Sequence, residues 1–170
     1  AGEVPSPVGT KSLDVSGKTI IPGLVDAHAH GPHGVDEFTP QQNWVNMLEL
    51  AMGVTTRHDP SSSAATAFPA LEMQRAGLII GPRSFSTGEI VYGAKAADVY
   101  AQIDSFDDAL AHVRRLKAQG AHSVKNYNQP RREQRQQVVA AAIKENIRSV
   151  AEGGSLFGMD MTLIADGNTT

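Results

Sequence analysis

Short apolar runs alternate with longer amphipathic segments along most of this chain of 170 residues. Apolar runs bounded by glycine and proline predict strands, whereas apolar residues spaced three or four positions apart predict helices. Strands that alternate with helices of about 10–15 residues form βαβ units, in which the strands are parallel. The alternation therefore predicts an α/β fold built on parallel strands.

Five strands are predicted, and polar or turn residues end each of them: 24–29, 54–58, 83–87, 123–127 and 148–152. The first strand is expected to be buried because it is short and apolar. Before it, residues 1–19 are interpreted as an extended arm with strand character, and residues 20–170 as the main domain. A long loop is expected at about residues 89–104.

Helices are predicted between these strands and after the last one. The first is expected to start with Thr39 as its N-cap and Pro40 at its first position, and to end at Gly53. The third starts with Ser105, followed three residues later by Asp108, which resembles a capping box. Further helices are predicted at about residues 66–76, after Pro130, and at 159–165.

The pattern is compatible with two architectures. A five-stranded open sheet of the flavodoxin type fits the chain length, whereas a complete (β/α)8 barrel needs about 250 residues. Strand order separates them, because the open sheet has the order 2-1-3-4-5 and a barrel fragment follows the sequence. Pattern and length alone favour the open sheet.

Composition restricts the partners and the chemistry. The net charge of −3 and the sequence pI of about 6.1 give no general attraction to nucleic acid or to an anionic membrane surface. No apolar run is long enough to span a bilayer. The chain has no cysteine, so a bound metal would need histidine, carboxylate or modified lysine ligands.

A histidine pair follows the first predicted strand. His28 and His30 are two residues apart, so on an extended backbone both side chains point to the same face. Two neutral imidazoles aimed the same way can hold one divalent metal ion such as zinc. Asp26 shares that face and can orient a ligand. Taken alone, an H-x-H pair is more often two unrelated polar residues, so the surrounding sequence has to decide.

Three other residues at strand ends are candidates for chemistry, because functional groups of parallel α/β folds gather there. A buried Lys125 can lose its proton and react with carbon dioxide to form a carbamate, an anionic ligand that can bridge two metals. Lys125 can equally extend to solvent or pair with a carboxylate. Glu152 is a candidate acid, base or metal ligand, or a salt-bridged glutamate near a turn. His58 is a candidate for substrate contact.

Residues 17–30 (GKTIIPGLVDAHAH) closely resemble the first barrel strand of the amidohydrolase superfamily. Residues 53–56 (GVTT), followed by Asp59 and Pro60, are similar to its second strand. Val124 and Lys125 match the place of its carboxylated lysine. The resemblance extends over nearly the whole chain and is closest to imidazolonepropionase-like and prolidase-like members, some of which are fused to a TolB-type propeller.

The resemblance implies a partial (β/α)8 barrel of about five βα units, with residues 1–19 as the end of a small β-sandwich. It also implies one or two divalent metal ions, most simply zinc, which activate a water that attacks a C–N bond. His28 and His30 would bind the first metal, and a carboxylated Lys125 would bridge. Glu152 stands where the family has a histidine, and the family's later histidine and aspartate have no counterpart. The chain is therefore expected to be a fragment with an incomplete site.

Three hypotheses about function follow. The first is a metal-dependent hydrolase acting on a small amide or peptide-like substrate. The second is a barrel fragment without catalytic activity that associates with further copies of itself, because five strands leave an open edge. The third is an open-sheet module that binds a small ligand at the strand ends.

Overall fold

The computed structural model describes residues 5–36, 38–94, 101–127, 129–152 and 157–167. The strands within these residues are β1 (Leu24–Asp26), β2 (Val54–Asp59), β3 (Arg83–Ser86), β4 (Val91–Tyr92), β5 (Ser123–Tyr127) and β6 (Arg148–Ala151). The helices are α1 (Trp44–Ala51), α2 (Ala64–Arg75), α3 (Phe106–Ala118), α4 (Arg132–Lys144) and α5 (Phe157–Ala165). The predicted alternation of strands and helices is confirmed.

The strands form two three-stranded parallel sheets, with the orders β1-β2-β3 and β4-β5-β6. A backbone hydrogen bond of 3.0 Å from the His122 N–H to the Ser86 carbonyl joins the end of β3 to the residue before β5. The order follows the sequence, which is the order of a barrel fragment and not that of a flavodoxin-like sheet. The partial barrel is confirmed, and the open-sheet hypothesis is wrong.

An additional short strand lies within the predicted loop. Residues 83–87 were expected to form one strand followed by a loop, but β3 ends at Ser86 and β4 lies inside the expected loop. Gly88 has a φ of +67°, and its N–H donates to the Ser86 hydroxyl over 3.0 Å, so the chain turns between β3 and β4. Val91, which is 1% exposed, then pairs with Asn126 of β5. A two-residue strand carries too little pattern to be predicted.

The core lies between β4, β5 and the helices α2, α3 and α4. Its buried side chains include Phe68, Leu71, Ile103, Leu110, Val113, Leu116, Val124 and Val138. The apolar residues Leu110, Val113 and Leu116 of α3 are all buried. On α4, Val138 and Val139 are buried, but Ile143 is 73% exposed.

The first strand is shorter and more exposed than predicted. It ends at Asp26, and Leu24 and Val25 are 53% and 68% exposed. The reason is its position: β1 pairs with β2 on one side, and the described part of the chain has no strand on its other side. The apolar run was correctly interpreted as a strand, but burial of its side chains requires a second neighbouring strand.

The first helix begins later than predicted. Asn43, not Thr39, is its N-cap, since the Asn43 side-chain oxygen accepts a hydrogen bond of 3.0 Å from the Val45 N–H. The Asn43 amide group also donates to the Pro32 carbonyl over 2.6 Å, a tertiary contact that fixes the start of the helix. The predicted end is confirmed, because Gly53 follows the C-cap with a φ of +88°. The predicted cap of α3 is confirmed as well, since the Ser105 hydroxyl accepts from the Asp108 N–H.

The arm contains no strand in residues 5–19, and all of these residues are exposed. Its expected strand character is therefore wrong for these residues, since their backbone groups have no neighbouring strand to pair with. The division into a sandwich arm and a barrel domain stays a prediction. Among the described residues, no helix has the length and apolar character that crossing a bilayer requires.

His58 connects three strands near the centre of the fold. Its Nε2 lies 2.8 Å from the Ser123 hydroxyl of β5, and its ring also hydrogen-bonds the backbone of Ala27, just after β1. Burial lowers the pKa of His58 from its ordinary value, and the nearby His28 and Lys125 lower it further, against the opposing effects of Ala27 and Asp59. The ring therefore favours its neutral form in the folded protein.

The core predicts the cost of truncating a buried leucine. Leu116 is fully buried, so Leu116→Ala is expected to lower the free energy of unfolding by about 2–5 kcal/mol, through lost burial and the cavity left behind. Leu78 is 60% exposed, and Leu78→Ala is expected to cost less than about 0.5 kcal/mol. Urea denaturation followed by circular dichroism measures both, and equal losses would contradict the assigned core.

The lowered pKa of His58 predicts a pH dependence of stability. The unfolded chain takes up a proton on His58 as the pH falls through about 6.5, before the folded protein does, so the free energy of unfolding should decrease between about pH 7.5 and 5.5. His58→Gln keeps a polar side chain but does not titrate, so its slope should be shallower. Urea denaturation of both proteins across this range measures the slopes, and identical slopes would contradict the interpretation.

Candidate functional site

Four candidate side chains converge at one edge of the two sheets. His28 and His30 follow β1, Lys125 lies on β5, and Glu152 directly follows β6. The carboxyl ends of parallel strands meet at the same edge, which is where functional groups of barrel proteins gather. The structure thus brings together residues that are up to 124 positions apart, from His28 to Glu152.

The two histidines face each other through the same ring atom. The Nε2 atoms of His28 and His30 are 3.1 Å apart, and the ring planes are inclined by 77°. Both side chains are 50% exposed, so a solute can reach them. Two ligands of a tetrahedral zinc ion, each at about 2.0–2.1 Å, lie about 3.3 Å apart. The spacing therefore fits two ligands of one metal ion.

Lys125 and Glu152 form an ion pair next to this histidine pair. Lys125 is 4% exposed, and its Nζ also lies 5.3 Å from the centre of the Tyr127 ring. The Glu152 Oε2 lies 3.8 Å from the His28 Nε2, so Glu152 stands between the lysine and the histidines. Of the two alternatives for Lys125 without a carbamate, pairing with a carboxylate is the one that the structure contains.

Two other residues identified from the sequence, Asp26 and His58, lie near the histidine pair. Asp26 accepts a hydrogen bond of 3.0 Å from the His28 backbone N–H through its Oδ1, so it holds the backbone that carries the pair. His58 lies on β2, and its hydrogen bonds run to Ser123 and Ala27. Its predicted contact with a substrate stays a prediction.

Three residues at this edge were not identified from the sequence: His33, Arg57 and Asp59. His33 was assigned no role, yet it is 4% exposed, and Arg57 and Asp59 are 2% and 1% exposed. The His33 Nε2 lies 2.7 Å from the Asp59 Oδ2, and the Asp59 Oδ1 lies 3.4 Å from the His30 Nδ1. One signal was available, because Arg57 and Asp59 alternate with His58 on a strand and so share the opposite face.

The electrostatics of Asp59 follow from its hydrogen bonds. Burial alone would raise the pKa of Asp59, but hydrogen bonds from His33, Ser62 and the Ser61 N–H outweigh it and hold this pKa below its ordinary value. Asp59 is therefore ionised at neutral pH, beside a histidine of the pair. A fixed negative charge in this position favours a cation at the ring nitrogens.

The donor set is suited to a metal ion but is not complete. Within the described residues, no group of three or more histidine, cysteine, aspartate or glutamate side chains is arranged to hold a metal ion. The fit rests on the two converging imidazole nitrogens, with Lys125 and Glu152 next to them.

Comparison with known proteins supports the fold. No protein-family model matches the chain, and no curated protein matches it. Its structure is similar to that of a Xaa-Pro dipeptidase with bound methionine in the active site, at a TM-score of 0.69 and 20% identity, covering 94% of this chain and 51% of that one. Bottromycin amidohydrolase is similar at a TM-score of 0.66 and 23% identity, covering 84% of this chain and 30% of that one.

An ochratoxinase from A. niger is similar too, at a TM-score of 0.60 and 18% identity, covering 86% of this chain and 46% of that one. The chain thus spans about half the length of the dipeptidase and less of the other two. The partial barrel expected from the sequence is confirmed at the level of fold, because the chain shares part of the fold of these three proteins.

Proposed function

We propose that this chain supplies part of the active site of a metal-dependent hydrolase that acts on C–N bonds of small amide, peptide or cyclic amide substrates. The observation that carries the proposal is the 3.1 Å approach of the His28 and His30 Nε2 atoms at the carboxyl edge of the strands. The names of the similar structures, a dipeptidase and an amidohydrolase among them, support the reaction class.

His28 and His30 are the residues that would hold the metal ion. A divalent ion such as zinc, when bound, lowers the pKa of a coordinated water to about 7 and so supplies a nucleophile at neutral pH. His28 is fixed through its backbone by Asp26, and His30 faces Asp59 through its other ring nitrogen. The His30 ring is therefore contacted from behind by a carboxylate, and the Nε2 atoms of both histidines face each other, where the ion would be held.

Glu152 is proposed as the acid or base of this site. Its Oε2 lies 3.8 Å from the His28 Nε2, close enough to exchange a proton with a group held at the histidines or to become a further ligand. The ion pair with Lys125 holds this carboxylate next to the histidine pair. His58 stays a candidate for contact with the substrate.

Lys125 is proposed to bind metal as a carbamate. For this its amine must first lose a proton, after which nitrogen adds to carbon dioxide and a second proton leaves. The product replaces a positive charge by a negative one beside Glu152, and two neighbouring anions require cations between them. Carbamate formation is therefore coupled to the binding of one or two ions, and the ion pair with Glu152 is the arrangement without them.

Removing the two histidines tests the metal site. Zinc titration by calorimetry is expected to detect binding to the wild-type chain and to show it weakened by more than about 100-fold in the His28→Ala/His30→Ala variant, since loss of ligands exceeds the 10–100-fold typical for outer partners. His112→Ala, which removes a histidine of α3, is the matched control and should bind as wild type. Wild-type protein that binds no zinc would contradict the proposal.

Chelation provides the second readout. Any hydrolysis of a dipeptide panel by the chain is expected to disappear with a chelator and to return with zinc. Hydrolysis that persists in chelated protein, or in the double histidine variant, would contradict a metal-dependent reaction.

A second candidate function is association with another copy of the chain, favoured by the apolar surface at β1 and α1. Leu24 and Val25 on β1 are 53% and 68% exposed, and Trp44 and Met52 at α1 are 68% and 71% exposed. An edge strand beside exposed apolar side chains is a template for pairing with another strand. We propose that a second copy covers this surface.

Sedimentation tests the association. The wild-type chain is expected to sediment as a dimer or larger species, and Val25→Lys/Trp44→Glu to shift it to the monomer, because buried charges oppose pairing at this edge. Leu78→Lys is the control, because Leu78 lies after α2 and is 60% exposed, close to the 68% of Val25 and Trp44. It should leave the sedimentation distribution as in wild type. A wild-type chain that is monomeric at high concentration would rule out the second copy.

A further inference from the structure

A series of polar side chains in mutual contact, of which Arg57, His33 and Asp59 are buried, connects helix α1 to the histidine pair: Glu49, Arg57, His33, Asp59 and His30. We propose that Asp59 is a positioning residue that holds His30 in the tautomer with its proton on Nδ1. Glu49, Arg57 and His33 keep the Asp59 carboxylate in the position that this requires. The proposal concerns metal binding and in that part rests on the proposed function. Its statement about the His30 tautomer applies without a metal.

Arg57 determines the tautomer of His33, because a guanidinium donates hydrogen bonds and cannot accept them. Its Nη1 donates to both Glu49 carboxylate oxygens, over 3.0 and 2.9 Å, and its Nε donates to the Ser84 hydroxyl over 2.9 Å. Its Nη2 lies 3.3 Å from the His33 Nδ1. The His33 Nδ1 must therefore be the acceptor, and the proton of a neutral His33 lies on Nε2.

This tautomer of His33 suits Asp59. The His33 Nε2–H points at the Asp59 Oδ2 over 2.7 Å, and an ionised carboxylate accepts hydrogen bonds without donating any. The Ser62 hydroxyl donates to the same oxygen over 2.5 Å, and the Ser61 N–H donates to Oδ1 over 2.9 Å. Asp59 is thus fixed in place by donors around both oxygens.

The position of the His30 proton follows in the same way. Its Nδ1 lies 3.4 Å from the Asp59 Oδ1, which can only accept, so the favoured neutral His30 carries its proton on Nδ1. The lone pair is then on Nε2, the atom that faces His28. A carboxylate behind a ligating histidine also makes the imidazole a stronger ligand.

The charges within the chain support this assignment. Arg57 and Glu49 neutralise each other in a charge-assisted pair. The hydrogen bonds to Asp59 come from the Ser62 hydroxyl, the Ser61 N–H and the His33 ring, and they stabilise its negative charge. The Asp59 Oδ1 lies 3.4 Å from the His30 Nδ1, so this charge favours a cation held at His30.

Asp59→Asn tests the proposal with two measurements. Imidazole 15N–1H correlation spectra of metal-free wild-type protein are expected to show His30 in the Nδ1–H tautomer. In the variant this preference should be reduced so that both tautomers are populated, because an amide is a weaker acceptor than a carboxylate. Zinc affinity should fall by about 10- to 100-fold. An unchanged His30 tautomer together with unchanged affinity would overturn the proposal.

Asp166→Asn is the matched control, because Asp166 is also a buried carboxylate, 4% exposed and paired with Arg132. It is expected to lower stability but to leave the His30 tautomer and the zinc affinity as in wild type. If Asp166→Asn reduced zinc affinity as much as Asp59→Asn does, the effect would reflect general stability, and a positioning role for Asp59 would be refuted.

Ser62→Ala is the milder variant should Asp59→Asn fail to fold. It removes one of the donors that fix Asp59, so a smaller shift of the His30 tautomer in the same direction is expected, and none at all would count against the proposal. The spectra separate the two claims: a wild-type protein that binds no zinc contradicts the proposed function, while the tautomer in metal-free protein still tests Asp59.

Discussion

Parallel pairing of strands is the constraint on which the candidate site depends. Because β5 and β6 run in the same direction, with Lys125 opposite Val150 in the ladder, the residue that follows β6 reaches the lysine. β1 and β2 obey the same rule, so that the residues after β1 and the end of β2 meet at the same edge. Polar groups that are far apart in the chain therefore lie together at one end of the fold. The apolar core lies between β4, β5 and the helices α2, α3 and α4.

Buried charge is the second physical constraint, since two of the buried cations among the described residues, Arg57 and Lys125, each face a glutamate. An unpaired charge in such a position would cost several kcal/mol, by the order of magnitude known for buried ions. Arg57 and Glu49 connect α1 to β2, whereas Lys125 and Glu152 connect β5 to the end of β6. The first pair stabilises the residues behind His30, and the second places a carboxylate in front of His28. Structural and chemical requirements are therefore met by the same side chains.

Much of the fold could be predicted because its signals are local. Strand β5 and helix α3 occur where the apolar pattern and the Ser105 cap place them. The predictions failed where a tertiary contact, and not the local sequence, sets the bounds or the burial of an element. The start of α1 depends on the contact between Asn43 and Pro32, and the exposure of β1 depends on the absence, within the described residues, of a strand on its open side.

The sequence by itself determined the alternation of strands and helices, the polar residue at each strand end, and the common direction of His28 and His30, because each follows from the period of the local backbone. Only the tertiary structure decided that Lys125 pairs with Glu152 and that His33, which lies between β1 and α1, is buried against Asp59. These pairs join segments 26 and 27 positions apart. No local periodicity specifies such distances; they are set by the packing of the strands and of the segments that follow them.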